Sequence, residues 1–223
     1  MTPSRDWNDP DVARTWADRH LAGNPVREEH LGLLLDVLEH VVAPRTVLDL
    51  GCGSGVVAEM VLDRLPAARL LGIDGSAAML AEAGARLERF GDRVRLVRSD
   101  FAALDGVTLD PVDAAFAVQA VHHVGEAQAD VLRWLRRAVR PGGRLLLLER
   151  VDIPSEALYP IFRRTKERGG HQRNAATWAG YRRELADGGD FPVTAERLLA
   201  MLRAAGFDAA CLDIRADRAF LLG

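Results

Sequence analysis

Cysteine is nearly absent from this chain of 223 residues: only Cys52 and Cys211 occur, too few for a disulfide framework or a cysteine-built zinc site. Lysine is scarcer still. Lys166 stands alone among many arginines, which reflects a coding preference more than a phosphate-binding device, since arginine substitutes for lysine on most solvated faces. No apolar run is long enough to span a bilayer, and the polar start Met1-Thr-Pro-Ser-Arg-Asp-Trp7 lacks the apolar stretch of a secretory leader. A cytoplasmic location is therefore expected. A net charge of −3 gives no global attraction for nucleic acid or anionic membrane, so neither is an expected partner. What remains is an ordinary composition, 48% hydrophobic and 27% charged, in a length that suits one α/β domain with an insertion. Monomer and homodimer both stay open.

The chain is organised around Arg45-Thr-Val-Leu-Asp-Leu-Gly-Cys-Gly-Ser-Gly55. An apolar, β-branched run ends at Asp49, a glycine-dense turn follows, and a helical pattern opens at Val56. A buried strand thus enters a helix through a turn built for close backbone approach. A dinucleotide fingerprint wants glycine at its first, third and sixth positions, and here Gly51 and Gly53 are followed by Val56 at the sixth. Asp49 would also meet a pyrophosphate with a like charge before the helix N-terminus could hold it. A ligand with an ammonium or sulfonium group and no phosphate suits this corner, and S-adenosylmethionine is such a ligand.

Residues 9–43 read as two helices broken at Gly23-Asn24-Pro25, the second with Leu31, Leu34, Leu35, Leu38 and Val42 at helical spacing. The first, with Trp7 and Trp16, has little apolar face. It is either a lid over the ligand mouth or a terminal helix anchored by its tryptophans. From Thr46 the pattern alternates, with strands at 46–50, 69–74, 94–98, 112–118 and 144–150. Helices at 56–65, 77–89 and 127–139 lie between them, with Ser76 as an N-cap and Pro141-Gly142-Gly143 as a stop. Such alternation implies right-handed crossovers and a parallel sheet. At 151–190 the rhythm breaks into two helices, near 155–167 and 175–187, placed to roof a pocket at the sheet's carboxyl edge. A helix at 194–205 and an antiparallel hairpin, 209–214 with 218–222, close the chain. The expected fold is α/β: a doubly wound, mostly parallel seven-stranded, Rossmann-like sheet ending in that hairpin.

Asp49 to Gly55 resembles the first signature of the class I S-adenosylmethionine-dependent methyltransferases, small-molecule type, and later segments fit in order. Leu70-Leu-Gly-Ile-Asp-Gly-Ser76, with Met79, is similar to that family's second strand, and Ser99-Asp100-Phe101 to the end of its third. Asp113-Ala-Ala-Phe-Ala-Val-Gln-Ala-Val-His-His123 resembles the fourth, and Leu135-Arg-Arg-Ala-Val-Arg-Pro-Gly-Gly-Arg144 the approach to the fifth. The resemblance covers roughly residues 45–150. Residues 1–30 and 151–190 carry no comparable signature. The expected organisation is a single methyltransferase domain over 1–223: N-terminal helices or lid at 1–43, a cofactor-binding core at 44–150, a helical substrate insertion at 151–190, and a closing helix and hairpin at 191–223.

The resemblance also implies roles. Gly51, Cys52 and Gly53 let the backbone approach the methionine part of the cofactor, and Asp49 satisfies its ammonium group. Asp74, with Gly75 and Ser76 beside it, accepts from the ribose hydroxyls. Asp100, Ser99 and the Phe101 amide read the adenine edge, and Met79 packs on its face. Gln119 lies near the reactive methyl. Trp16, on the lid reading of the first helix, is a further candidate for cofactor contact. His122 and His123 follow, as a general base, with His122 preferred, or as a structural, cofactor-shaping pair; both readings stay open. The basic stretch 163–173 either holds an acidic substrate group or is a solvated helix face. Glu149 and Asp152 lack a third ligand, so no metal is expected. The expected activity is transfer of a methyl group from S-adenosylmethionine, leaving S-adenosylhomocysteine, to an oxygen or nitrogen of a small molecule, with secondary metabolism as a setting. Methylation of RNA or another macromolecule, or a non-catalytic cofactor-binding partner protein, are the alternatives.

Overall fold

Near-continuous apolar runs such as Leu145–Leu148 mark strands buried on both faces, the position a parallel sheet gives its central members. The computed structural model describes residues 6–19, 25–168 and 175–223, with backbone alone for 16–19 and 25. Its strands are β1 (Thr46–Leu50), β2 (Arg69–Asp74), β3 (Val94–Arg98), β4 (Val112–Val118), β5 (Val139–Arg150), β6 (Ala210–Arg215) and β7 (Arg218–Leu222). They form one seven-stranded sheet in the order β3-β2-β1-β4-β5-β7-β6. β1 to β5 are parallel, and β7 runs antiparallel to both of its neighbours.

Period-two alternation divides the core. Val47, Leu70, Phe116 and Leu146 face one side, where Leu34 and Leu38 of the second helical segment, Val61 and Leu62 of α3 (Val56–Arg64) and Leu87 of α4 (Ala77–Leu87) cover them. Leu48, Leu50, Ala115 and Leu145 face the other, under Leu132 and Leu135 of α5 (Gln128–Ala138) and Leu198 and Leu202 of α8 (Ala195–Ala204). The second helical segment is α2 (Pro25–Val37), extended by a wider π-type turn, Leu38–Val42, that ends at Ala43 with φ 47°. Ahead of it, α1 (Pro10–Arg19) lies along α4.

One strand boundary departs from expectation by several residues. β5 opens at Val139 and not at 144: Val112 pairs with Val139 and Ala114 with Arg144, so Arg140 to Gly143 loops out of a strand that has already begun. Pro141-Gly142-Gly143 therefore marks a bulge and not the helix end, which falls at Ala138. A bulge admits extra residues into a paired strand, which no local pattern announces.

The insertion contains α6 (Tyr159–Arg168) and α7 (Trp178–Gly188), which share a small core of Tyr159, Phe162, Tyr181 and Leu185. Among the described residues, no helix is long and apolar enough to cross a membrane.

Candidate active site

The first four signature segments each end where a strand gives out at its carboxyl end, and the sheet order reverses between β1 and β4. There the connections part to opposite faces and leave a crevice. A cavity of about 310 Å³ occupies it. Of the residues expected at a cofactor site, Asp49, Gly51, Cys52, Gly53, Asp74 and Gly75 line the cavity, as do Ser76, Met79, Asp100, Phe101, Gln119 and His123.

The loop after β1 passes under the segment after β4. Gly51 has φ 74°, and a Cβ there would lie 2.4 Å from the Cβ of Ala120. Only glycine fits, on both conformational and steric grounds. Gly51→Ala is expected to destabilise the protein by about 1–3 kcal/mol, the usual effect of overpacking, and to weaken cofactor binding. Thermal melting and calorimetry check this; an unchanged melting temperature would remove the close approach from consideration.

Asp49 is 2% exposed, and its Oδ2 has no hydrogen-bond partner. Burial, with the charge of Asp74 adding to it, raises its carboxyl well above the ordinary range. A buried carboxylate without a partner is unfavourable, and a cationic ligand group in the cavity is the natural remedy. Asp74 accepts from the Gly53 amide through Oδ2 and from the Ser76 amide through Oδ1, both at 2.8 Å. Each oxygen keeps a further lone pair for a ligand hydroxyl. Burial raises the Asp74 carboxyl, and Asp100 adds to the rise against the amides of Ser76, Gly53 and Gly75. Gly75 allows this crowding, since a Cβ there would stand 2.6 Å from Asp100 Oδ1.

Ser76 caps α4 by accepting from the Met79 amide at 3.0 Å, and its hydroxyl donates to the Trp7 carbonyl at 2.5 Å. Asn8 Oδ1 accepts from the Ala77 amide at 3.2 Å. This clasp places Trp7 and Asn8 on the cavity wall. Trp7 is thus held by its backbone carbonyl and lines the cavity. The side chain of Trp16 lies outside the described residues, as do His171 and Arg173.

Two expected residues are not on the wall. Ser99 is spent locally: its amide donates to the Asp74 carbonyl at 3.0 Å and its hydroxyl to the Asp100 carbonyl at 3.2 Å. His122 is 5% exposed and stands behind the wall. Its Nδ1 lies 2.7 Å from Glu149 Oε2, while Glu149 Oε1 accepts from the amides of Ala120 and Val121 at 3.0 and 2.9 Å. Burial pushes the Glu149 carboxyl upward, but His122 and these amides prevail and hold it below the ordinary range. His123 is the member of the pair that reaches the cavity, its ring 4.1 Å from that of His122 and 6.0 Å, edge-on, from Trp7. Between them and β4, Gln119 has φ 54°, a left-handed conformation that non-glycine residues rarely adopt and that collects at functional sites.

Sequence reading missed Asp190, because Gly188-Gly189-Asp190 looks like a helix stop. It is the insertion's contribution. Asp190 Oδ1 lies 3.2 Å from His123 Nδ1, and its other oxygen pairs with Arg150. Burial alone would lower the His123 imidazole, but Asp190 and the Gly189 carbonyl reverse this and raise it. The Phe191 amide donates to the His122 carbonyl at 2.8 Å and Gln128 Nε2 to the Phe191 carbonyl at 2.7 Å, which staples the insertion's end to the segment after β4. Asp152, near Glu149 in sequence, serves elsewhere, on Tyr181 at 3.2 Å and Arg182 at 2.6 Å. In the basic stretch, Arg163 pairs with Glu167 along its own helix, and Lys166 turns inward to Asp217 at 3.0 Å.

The cavity thus combines an unpaired buried carboxylate, an acceptor-only carboxylate for hydroxyls, and the apolar surfaces of Met79 and Phe101. A molecule with a cationic head, a ribose and a flat base fits that set. The methyltransferase-domain family matches residues 47–143. The demethylmenaquinone methyltransferase of Thermus thermophilus is 34% identical over 173 residues, covering 74% of this chain and 75% of the relative. A trans-aconitate 2-methyltransferase of an Acidovorax species is 32% identical over 166 residues, and there the match covers 73% of this chain but 57% of the relative. Among solved structures, a complex of DhpI with SAM and HEP has a TM-score of 0.65 at 20% identity, covering 97% of this chain and 92% of that one. An O-methyltransferase family protein from Burkholderia thailandensis has a TM-score of 0.70 at 17% identity, covering 96% and 60%. These two likenesses speak for the fold alone. The chain belongs to the class I S-adenosylmethionine-dependent methyltransferases. Its cofactor is S-adenosylmethionine.

Proposed function

We propose that the protein methylates an oxygen or nitrogen of a small-molecule acceptor, and that the residues lining the cavity hold the cofactor in the roles their chemistry suits. S-adenosylmethionine supplies an electrophilic methyl group on a sulfonium. The observation that carries the reading is Asp49, a buried carboxylate without a hydrogen-bond partner at Oδ2, on the wall of a cavity that also presents Asp74. Asp49 balances the positive charge of the ligand's head, and Asp74 takes the ribose hydroxyls. Asp100 and Phe101 border the base, and Met79 packs on it. Gln119 and His123 stand on the wall that leads to the insertion, where an acceptor enters. Aligning that acceptor behind the methyl supplies most of what an in-line displacement needs. His123 borders this side, with His122 and Asp190 behind it, and this group governs how the acceptor's proton leaves.

A small-molecule acceptor is supported by the names of relatives, which refer to demethylmenaquinone and trans-aconitate. The net charge of −3 gives no general attraction for RNA. Incubation with S-adenosylmethionine and panels of small carboxylates, phenols, amines and quinols is expected to release S-adenosylhomocysteine with at least one class. Mass spectrometry of the product then locates the methyl. Turnover with RNA and none with any small acceptor would overturn the reading, and methylation only at carbon would correct its target atom.

A further inference from the structure

Sequence spacing offered no metal cluster, yet the fold makes one at the edge of the cavity. His122 Nε2 lies 3.7 Å and His123 Nδ1 3.2 Å from the same oxygen, Asp190 Oδ1, and the ligand atoms of the three residues lie within 4.8 Å of one another. An ion about 2.0–2.2 Å from imidazole nitrogen and carboxylate oxygen sets neighbouring ligand atoms roughly 2.9–3.5 Å apart in tetrahedral or octahedral geometry. The His123 spacing, 3.2 Å, falls inside that range and the His122 spacing, 3.7 Å, lies just above it, so a small side-chain movement completes the site.

Hydrogen bonding also favours a cation there. The Nδ1 of His122 is committed to Glu149 Oε2 at 2.7 Å. The other ring nitrogen, Nε2, is the one turned toward Asp190 Oδ1, at 3.7 Å, and an ion between these two atoms makes both of them ligands. The Glu149 contact is the kind of outer partner that fixes the tautomer and orientation of metal-bound histidine. Arg150 engages Asp190 through its other oxygen, Oδ2, which leaves Oδ1 for the ion. The ligands come from two stretches of chain, the segment after β4 and the end of the insertion, and the Phe191–His122 backbone bond fixes them side by side.

We infer that His122 Nε2, His123 Nδ1 and Asp190 Oδ1 bind one divalent first-row transition-metal ion of the zinc class. Two imidazoles and a carboxylate are a donor set that zinc and ferrous ions favour, and three protein ligands leave open positions for a substrate oxygen. The ion's service to an acceptor rests on the methyl-transfer reading above; its binding does not.

The test uses the full chain, freed of metal by a chelator and titrated with Co²⁺. One saturable equivalent is expected, with visible d–d absorption that Zn²⁺ abolishes by displacement. His122→Ala and Asp190→Asn are each expected to weaken Co²⁺ binding at least about tenfold, and Glu149→Gln by roughly 10- to 100-fold as an outer partner. Circular dichroism melts on the same samples show that the variants are folded. Absence of saturable one-to-one binding by the wild type overturns the inference, as does equal affinity in His122→Ala and Asp190→Asn. Calorimetry of S-adenosylmethionine on the metal-free wild type tests the other reading separately, because Asp49, Asp74 and Asp100 are not among the ligands.

Discussion

Replacing Asp74 by alanine is expected to weaken S-adenosylmethionine binding about 100-fold. Two hydroxyl donors each lose a bond to an ionised acceptor, and bonds of that kind contribute about 1.5–3 kcal/mol apiece, so a total near 3 kcal/mol is a modest estimate. The effect has a second origin in the loop itself. Asp74 also accepts from the amides of Gly53 and Ser76, and alanine leaves both donors unpaired in a half-buried place. Asp74→Asn separates the two, since it keeps the shape and one acceptor oxygen, and its loss should be intermediate. Affinity should also fall on acidification, because Asp49 and Asp74 both have raised carboxyls and are neutralised at higher pH than ordinary carboxylates. Calorimetry over a pH series descending from neutrality is the measurement. Wild-type affinity in Asp74→Ala would remove Asp74 from the ribose role.

Asp217→Ala is expected to lower stability by about 3–5 kcal/mol, the typical loss when one partner of a buried ion cluster is removed. Asp217 is fully buried between Arg150 at 3.4 Å, Lys166 at 3.0 Å and Arg218 at 3.0 Å. These belong to β5, to α6 of the insertion and to the start of β7, so one carboxylate ties the insertion to the sheet. Without it three cations face one another out of water. Burial pushes its carboxyl upward, but Arg218, Lys166 and Arg150 together hold it far below the ordinary range. A depressed carboxylate stabilises the fold above its unfolded value, near 3.9, and that contribution is lost as pH falls through the folded value. Urea unfolding of wild type and variant should therefore differ fully at neutral pH, with the gap closing only in strong acid. A difference under about 1 kcal/mol at pH 7 would show that the cluster is solvated and its members independent.

The strands were legible because their signals are local. Period-two burial and the apolar runs of β1, β2 and β4 appear within a few residues, and the bounds of those three match their sequence readings. β5 was misplaced because its first residues are paired across a bulge, and pairing partners are distant in sequence. Most of the expected cofactor residues share one cavity for a related reason. Once alternation fixes a parallel sheet, every strand end falls on one edge, so residues such as Asp49, Asp74 and Asp100 converge without further information. Ser99 and His122 show the limit of that rule. It brings the right segments together but does not say which side chain of each segment turns inward.

Asp49 to Gly55 and the later strand ends by themselves determined the fold, the family and the cofactor, through glycine spacing, alternation and the order of landmarks. Tertiary structure alone decided that His123 faces the cavity while His122 turns to Glu149, that Trp7 and Asn8 line the cavity, and that Asp190 joins the histidine pair. Those choices depend on contacts between segments far apart in the chain, such as Phe191 to His122 and Ser76 to Trp7. Local propensity constrains each segment's own backbone, whereas side-chain direction at a junction is set by whichever distant donor or charge packing brings within reach.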